Sequence, residues 1–139
     1  MEMNRTVILL AMTAALAGCA APTPRPKAPP PVVTSEAPRC RDAGGECARM
    51  WIAAQQTAEN LSGMRLRMVT DTRIETFPPR DFGRTGVIVV KYPLQDGSFE
   101  LQADFECYGS TDCSRLRPLG INAFNTRVAL SADRPWQKK

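Results

Sequence analysis

Residues 98–107 read SFELQADFEC, and this stretch decides the fold. Phe99, Leu101, Ala103, Phe105 and Cys107 fall on one side of an extended chain; Glu100, Gln102, Asp104 and Glu106 fall on the other. Side chains alternate across a strand with a period of two, so the pattern predicts a strand with one core face and one wet face. Just upstream, Asp96-Gly97 is a two-residue hairpin signal. The segment before it, Gly86 to Tyr92 (GVIVVKY), is apolar on both alternating faces, which predicts a strand covered on both sides. An antiparallel pair joined through Asp96-Gly97 is therefore the expected centre of a sheet.

Working outward, Met64, Leu66 and Met68 alternate with Arg65, Arg67 and Val69, and the alternation resumes at Ile74 and ends at Phe77-Pro78-Pro79. Thr70-Asp71-Thr72 marks a bulge or bend between the two runs, and Gly83 and Gly86 loosen the next loop. Upstream again the period changes. In 46–62 (ECARMWIAAQQTAENLS), Cys47, Met50, Trp51, Ala54, Ala58 and Leu61 recur at three- and four-residue steps, which predicts an amphipathic helix. Gly63 is placed to end it in the left-handed conformation. After Cys113 the pattern is ambiguous. Leu116, Leu119, Ala123, Phe124 and Val128 fit a helix interrupted by Pro118 and Gly120, whereas Phe124, Thr126, Val128 and Leu130 fit a strand; the helix is the preferred reading. The expected fold class is α+β, with an N-terminal amphipathic helix packed on a small antiparallel sheet and a C-terminal segment that is helix or strand.

The N-terminus carries a different message. Asn4 and Arg5 lead into Thr6 to Ala17 (TVILLAMTAALA), an uncharged run that ends in Leu16-Ala17-Gly18-Cys19. A membrane-spanning helix needs about 20 apolar residues, so this run is too short to span and suits the apolar region of an export signal. Leu, two small residues and then Cys is a pattern that resembles the lipobox of bacterial lipoproteins. The resemblance implies a signal peptide over 1–18, diacylglyceryl and acyl chains on Cys19, and, with Ala20-Ala21 rather than Asp next in line, an outer-membrane location facing the periplasm. Two or more chains hold a protein stably on a bilayer. Ala20 to Pro38 (AAPTPRPKAPPPVVTSEAP) is crowded with proline and has no apolar period, so 19–38 reads as the lipidated cysteine and a spacer, and 39–139 as one small domain.

The chain has five cysteines and no histidine. With Cys19 carrying lipid, Cys40, Cys47, Cys107 and Cys113 remain as an even set in an oxidising compartment, which predicts two disulfides. Local pairing, Cys40 with Cys47 and Cys107 with Cys113, is preferred; a Cys47–Cys107 bridge between helix and sheet stays open. Zinc is disfavoured because the C-x6-C and C-x5-C spacings are wide.

A formal charge of +4, with basic and acidic residues interspersed, gives no support for nucleic-acid binding. Catalysis needs a titratable group near neutrality or an activated nucleophile, and neither is evident. Asp104 with Glu106, and Arg65 with Arg67, read as solvated strand faces. Met50, Met64 and Met68 read as core. The expectation is a non-enzyme without cofactor or metal, held to the membrane by its lipid and binding an envelope protein. It is either an accessory or assembly subunit of an envelope machine, or an inhibitor or immunity lipoprotein that uses the Tyr108 to Asp112 loop as a plug.

Overall fold

The computed structural model describes residues 28–109 and 113–133; the signal run, the lipobox at Cys19 and residues 110–112 lie outside the described residues. In chain order the elements are β1 (Arg39–Cys40), α1 (Glu46–Ser62), β2 (Leu66–Val69), β3 (Arg73–Thr76), β4 (Thr85–Pro93), β5 (Phe99–Cys107) and α2 (Leu116–Ala129). The strands form one antiparallel sheet in the order β1-β5-β4-β3-β2. Fold class is thus α+β, with two helices on the sheet and two disulfides.

The alternating stretch forms the centre. β4 and β5 pair from Thr85 opposite Cys107 to Pro93 opposite Phe99, so Val87 shares a face with Phe105 and Val89 with Ala103. That face carries Ile74, Val87, Val89, Leu101 and Phe105 into a core closed by Met50, Ala54 and Ala58 of α1 and Phe124 and Val128 of α2. Lys91 lies in the same row, yet its ammonium sits 5.2 Å from the centroid of the Trp51 ring and 5.3 Å from that of Phe99. Two aromatic faces replace part of its hydration. The indole N–H of Trp51 in turn donates to the Thr70 carbonyl at 3.1 Å.

Three expectations about the sheet are corrected. The connection between β4 and β5 is not a two-residue turn. Leu94 N–H donates to the Ser98 carbonyl, Gly97 N–H donates to the Leu94 carbonyl, and Gly97 takes φ 79°, so the loop spans Gln95 to Gly97. A left-handed residue closing a three-residue loop matches the twist of the strands. Secondly, β4 is covered by helices on one face only; Ile88 and Val90 are half-buried on the other, and Gly86 is packed by Pro79. Thirdly, Met68 is exposed. The register shifts between Leu66 and Met68, which places Met68 opposite Glu75, on the face away from the helices. An extra residue in one strand reverses the facing of every residue after it. Met50 is in the core and Met64 is half-buried.

α1 ends at Gly63, whose φ is 66° and whose N–H donates to the Glu59 carbonyl at 2.8 Å. The ambiguous C-terminal segment is helical. Pro118 falls in the first turn of α2, where the missing N–H has no intrahelical partner to lose, and Gly120 allows close contact with β5. The disulfides are local: Cys40–Cys47 ties β1 to α1, and Cys107–Cys113 ties the end of β5 to the approach to α2.

The end of the expected spacer, from Val32 to Pro38, is docked. The Asn122 side-chain oxygen accepts from Thr34 N–H, Ser35 N–H and the Ser35 hydroxyl at 2.9–3.1 Å, and its amide nitrogen donates to the Val32 carbonyl at 2.9 Å. Buried Asn125 donates to the Ser35 carbonyl and hydroxyl. Pro38 is buried and its carbonyl accepts from Leu101 N–H at 2.8 Å.

Candidate functional site

The sheet ends unevenly. Thr85 and Cys107 close the β4–β5 ladder, and the end of α1 (60–63) and the first half of α2 (116–123) lie at this end of the sheet. A cleft of about 560 Å³ opens between them. Leu61, Phe105, Leu116, Leu119 and Ala123 form its apolar wall, and Arg84 stands at its rim. Gly120 explains the shape: with no Cβ, α2 approaches the Phe105 ring closely at this end, while Leu116 and Leu119 stay on the open side. Leu119 is 53% exposed at the edge of this cleft.

Two aromatic residues stand at the same end. Phe82 lies just past the proline-rich loop after β3, and Tyr108 just past β5; their ring centroids are 5.2 Å apart in an edge-to-face arrangement. Phe82 is 76% exposed and Tyr108 38% exposed, so the pair presents apolar surface rather than hiding it. Arg84 is held by the Gly63 carbonyl at 3.5 Å and lies 4.0 Å from Asp81. The end of the domain therefore offers an apolar cleft, a cation at its rim and an aromatic pair nearby.

Elsewhere several carboxylates are paired with arginines. Glu75 is 5% exposed and is gripped by Arg67 and Arg73. Hydrogen bonds from Arg67 first and Arg73 second hold its carboxyl below the usual range, against the opposing effect of burial. Asp104 accepts from Nε and one terminal nitrogen of Arg117, at 2.6 and 2.8 Å, a bidentate pair on the wet face of β5. Glu100 is held low by Gln102 and, after the opposing effect of burial, by Arg39. A shallower polar hollow near Cys40 is lined by Arg41 and Asp96, themselves 3.6 Å apart.

Of the residues singled out from sequence, Cys40, Cys47, Cys107 and Cys113 are joined in pairs, and Cys19 lies outside the described residues. Tyr108 is the described part of the loop proposed as a plug, together with Gly109. Arg67 is drawn into the Glu75 cluster rather than standing alone in solvent. The cleft is not legible in the sequence. Leu116, Leu119 and Ala123 share one helical face there, but nothing in one dimension shows that α1 stops short of covering it. Among the described residues no group of three or more His, Cys, Asp or Glu is placed to hold a metal, and no helix is long and apolar enough to cross a membrane. No protein family matches the chain, and no curated protein or solved structure is significantly similar to it.

Proposed function

We propose that the chain is a bacterial lipoprotein of the outer membrane, facing the periplasm, whose small disulfide-stabilised domain binds another envelope protein. It serves as an accessory or assembly subunit of a secretion, transport or outer-membrane machine. The observation that carries the binding reading is the apolar cleft beside Leu119 together with the exposed Phe82–Tyr108 pair. Aromatic residues and arginine, here Phe82, Tyr108 and Arg84, are the usual anchors of protein interfaces. The lipobox reading of Leu16-Ala17-Gly18-Cys19 supports the anchor. Catalysis is not proposed: the chain lacks histidine, and its domain cysteines are engaged in bridges.

A second reading, an inhibitor or immunity lipoprotein against an envelope hydrolase, rests on one feature. The Cys107–Cys113 bridge closes a short loop that presents Tyr108 to solvent. Site-specific photo-crosslinking separates the two in living cells. A photoreactive residue at Phe82 or Leu119 is expected to capture a subunit of an envelope machine. Capture of a hydrolase from Tyr108 supports inhibition instead. Failure of all three positions to capture any envelope protein rejects the cleft as the binding surface. The anchor is tested separately: Cys19→Ser is expected to lose fatty-acid labelling and accumulate as precursor, and normal processing of that variant rejects the lipoprotein reading.

A further inference from the structure

The cleft beside Leu119 carries one charge in an apolar setting. Leu61, Phe105, Leu116, Leu119 and Ala123 make its walls, and among the described residues lining it Arg84 alone is charged. Arg84 is loosely held. Its guanidinium lies 4.0 Å from the Asp81 carboxylate, with both side chains more than half exposed, and its bond to the Gly63 carbonyl is 3.5 Å long. An exposed pair at that distance contributes little. Arg39 holds its carboxylate at 3.0 Å, and Arg117 holds its own at 2.6 and 2.8 Å. Arg84 therefore has room for a second, closer anion at the mouth of the cleft.

The backbone around the cleft narrows the occupant further. Gly63 N–H is given to the Glu59 carbonyl and Arg84 N–H to the Asp81 carbonyl, while Thr85 is paired opposite Cys107. The Ser62 hydroxyl is likewise turned to the Ala58 carbonyl at 2.7 Å. A polypeptide running through such walls would bury N–H and C=O groups of its own without partners, which is costly. A chain end avoids most of that cost. Its last side chain fills apolar space, and its carboxylate meets the guanidinium in a charge-assisted bond, stronger than a neutral one. The volume of about 560 Å³ is that of a small-ligand site, so it suits a few residues rather than a whole helix or strand.

We infer that the cleft takes the C-terminus of a partner protein, with an apolar last residue against Leu116, Leu119 and Phe105 and its α-carboxylate on Arg84. Such a terminus belongs to the envelope partner proposed above, so the inference rests on that reading and specifies its chemistry. The test uses the full-length chain in phosphatidylcholine nanodiscs with an acetylated alanine-alanine-leucine-leucine peptide, the same peptide amidated at its end, and hexanoate. The free-acid peptide is expected to bind roughly tenfold tighter than the amide, the equivalent of about 1.4 kcal/mol, and to slow hydrogen exchange at 61–64 and 116–120. Arg84→Gln is expected to weaken the acid peptide roughly tenfold and leave the amide unchanged, a split that a general loss of structure does not give. Leu119→Asp is expected to weaken both peptides, and melting curves show that each variant is folded. Equal binding of acid and amide, an unchanged preference in Arg84→Gln, or no binding of any probe overturns the inference. So does hexanoate binding as tightly as the peptide, which makes the occupant a fatty acid. Failure of the acid peptide with continued capture of an envelope protein from Leu119 rejects the terminus alone. Failure of the peptide together with failure of capture from Phe82, Leu119 and Tyr108 rejects the cleft as a partner surface.

Discussion

Gly120 of α2 faces the ring of Phe105 on β5 so closely that a Cβ built on it lies 2.7 Å from ring carbons. The contact is with a ring that is 3% exposed, so the neighbour has little room to yield. Alanine is about 1 kcal/mol better than glycine inside a helix, yet overpacking a filled core costs about 1–3 kcal/mol. Gly120→Ala is expected to be a net loss that lowers the melting temperature, and Phe105→Leu in the same chain to recover part of it. Melting curves of the two single variants and the double variant measure this coupling. If Gly120→Ala is neutral or stabilising, α2 does not pack as described.

Much of the sheet is legible in the sequence because its residues vote twice. Along β5 the alternation and the preceding Asp96-Gly97 agree, and along α1 the apolar face and Gly63 agree. Met68 reads as core in sequence and is exposed in the fold, because a bulge changes the facing of a strand without any mark in the alternation itself. Gly120 reads as an interruption of α2, since a glycine needed for close approach and one that breaks a helix look alike in one dimension. The docked segment is hidden for a related reason. Its bonds run from Val32, Thr34 and Ser35 to Asn122 and Asn125, across most of the chain, and proline-rich composition says only that the segment builds no core of its own.

The Glu75 cluster sets part of the acid sensitivity. Its carboxyl titrates below its ordinary 4.5 when folded, so the charged form is favoured by folding. The stabilisation is fully present above the unfolded value and is lost as pH falls through the depressed folded value. Asp96, held low by Ser98, and Glu100 act in the same direction. Glu75→Gln is expected to be less stable than the parent at neutral pH, with Arg67 and Arg73 left without their shared partner. Its stability is expected to fall less steeply on acidification. Denaturant unfolding across the acidic range checks both; an unchanged slope means that Glu75 is not a contributor.

The two disulfides are expected to differ in weight. They span similar separations of 7 and 6 residues, and loops that short are worth roughly 2 kcal/mol each in the chain-entropy account. Their surroundings are unequal. Cys40 and Cys47 are 2% and 3% exposed within the core and secure the two-residue β1, whereas Cys107 and Cys113 are half-buried beside the cleft. Replacing Cys40 and Cys47 together with alanine is therefore expected to lower the melting temperature more than replacing Cys107 and Cys113. Equal losses would show that core packing around the first bridge adds nothing.

The docked segment gives the last prediction, because it would change how far the domain can stand from the proposed anchor at Cys19. A proline-rich chain rises about 3.1 Å per residue, so holding 32–38 against the domain removes roughly 20 Å from the reach of a spacer ending at Pro38. Pro38 is held by burial and by the Leu101 N–H, whereas the hold on Val32 to Ser35 depends on two side chains. Asn122 serves Val32, Thr34 and Ser35 at once, and Asn125 serves Ser35 from a buried position, while Val32 and Val33 remain 65% and 49% exposed. Apolar burial by those valines therefore contributes little, and hydrogen bonds to α2 carry the docking. A bond of this kind contributes about 0.5–1.5 kcal/mol, small enough for local release without unfolding the sheet. Asn122→Ala is expected to bring the Thr34 and Ser35 amides to nearly unprotected hydrogen exchange while the β4 and β5 amides keep their protection. Loss of protection throughout the sheet would instead make the segment an integral part of the fold. Unchanged protection at Thr34 and Ser35 would mean that Asn122 does not hold it.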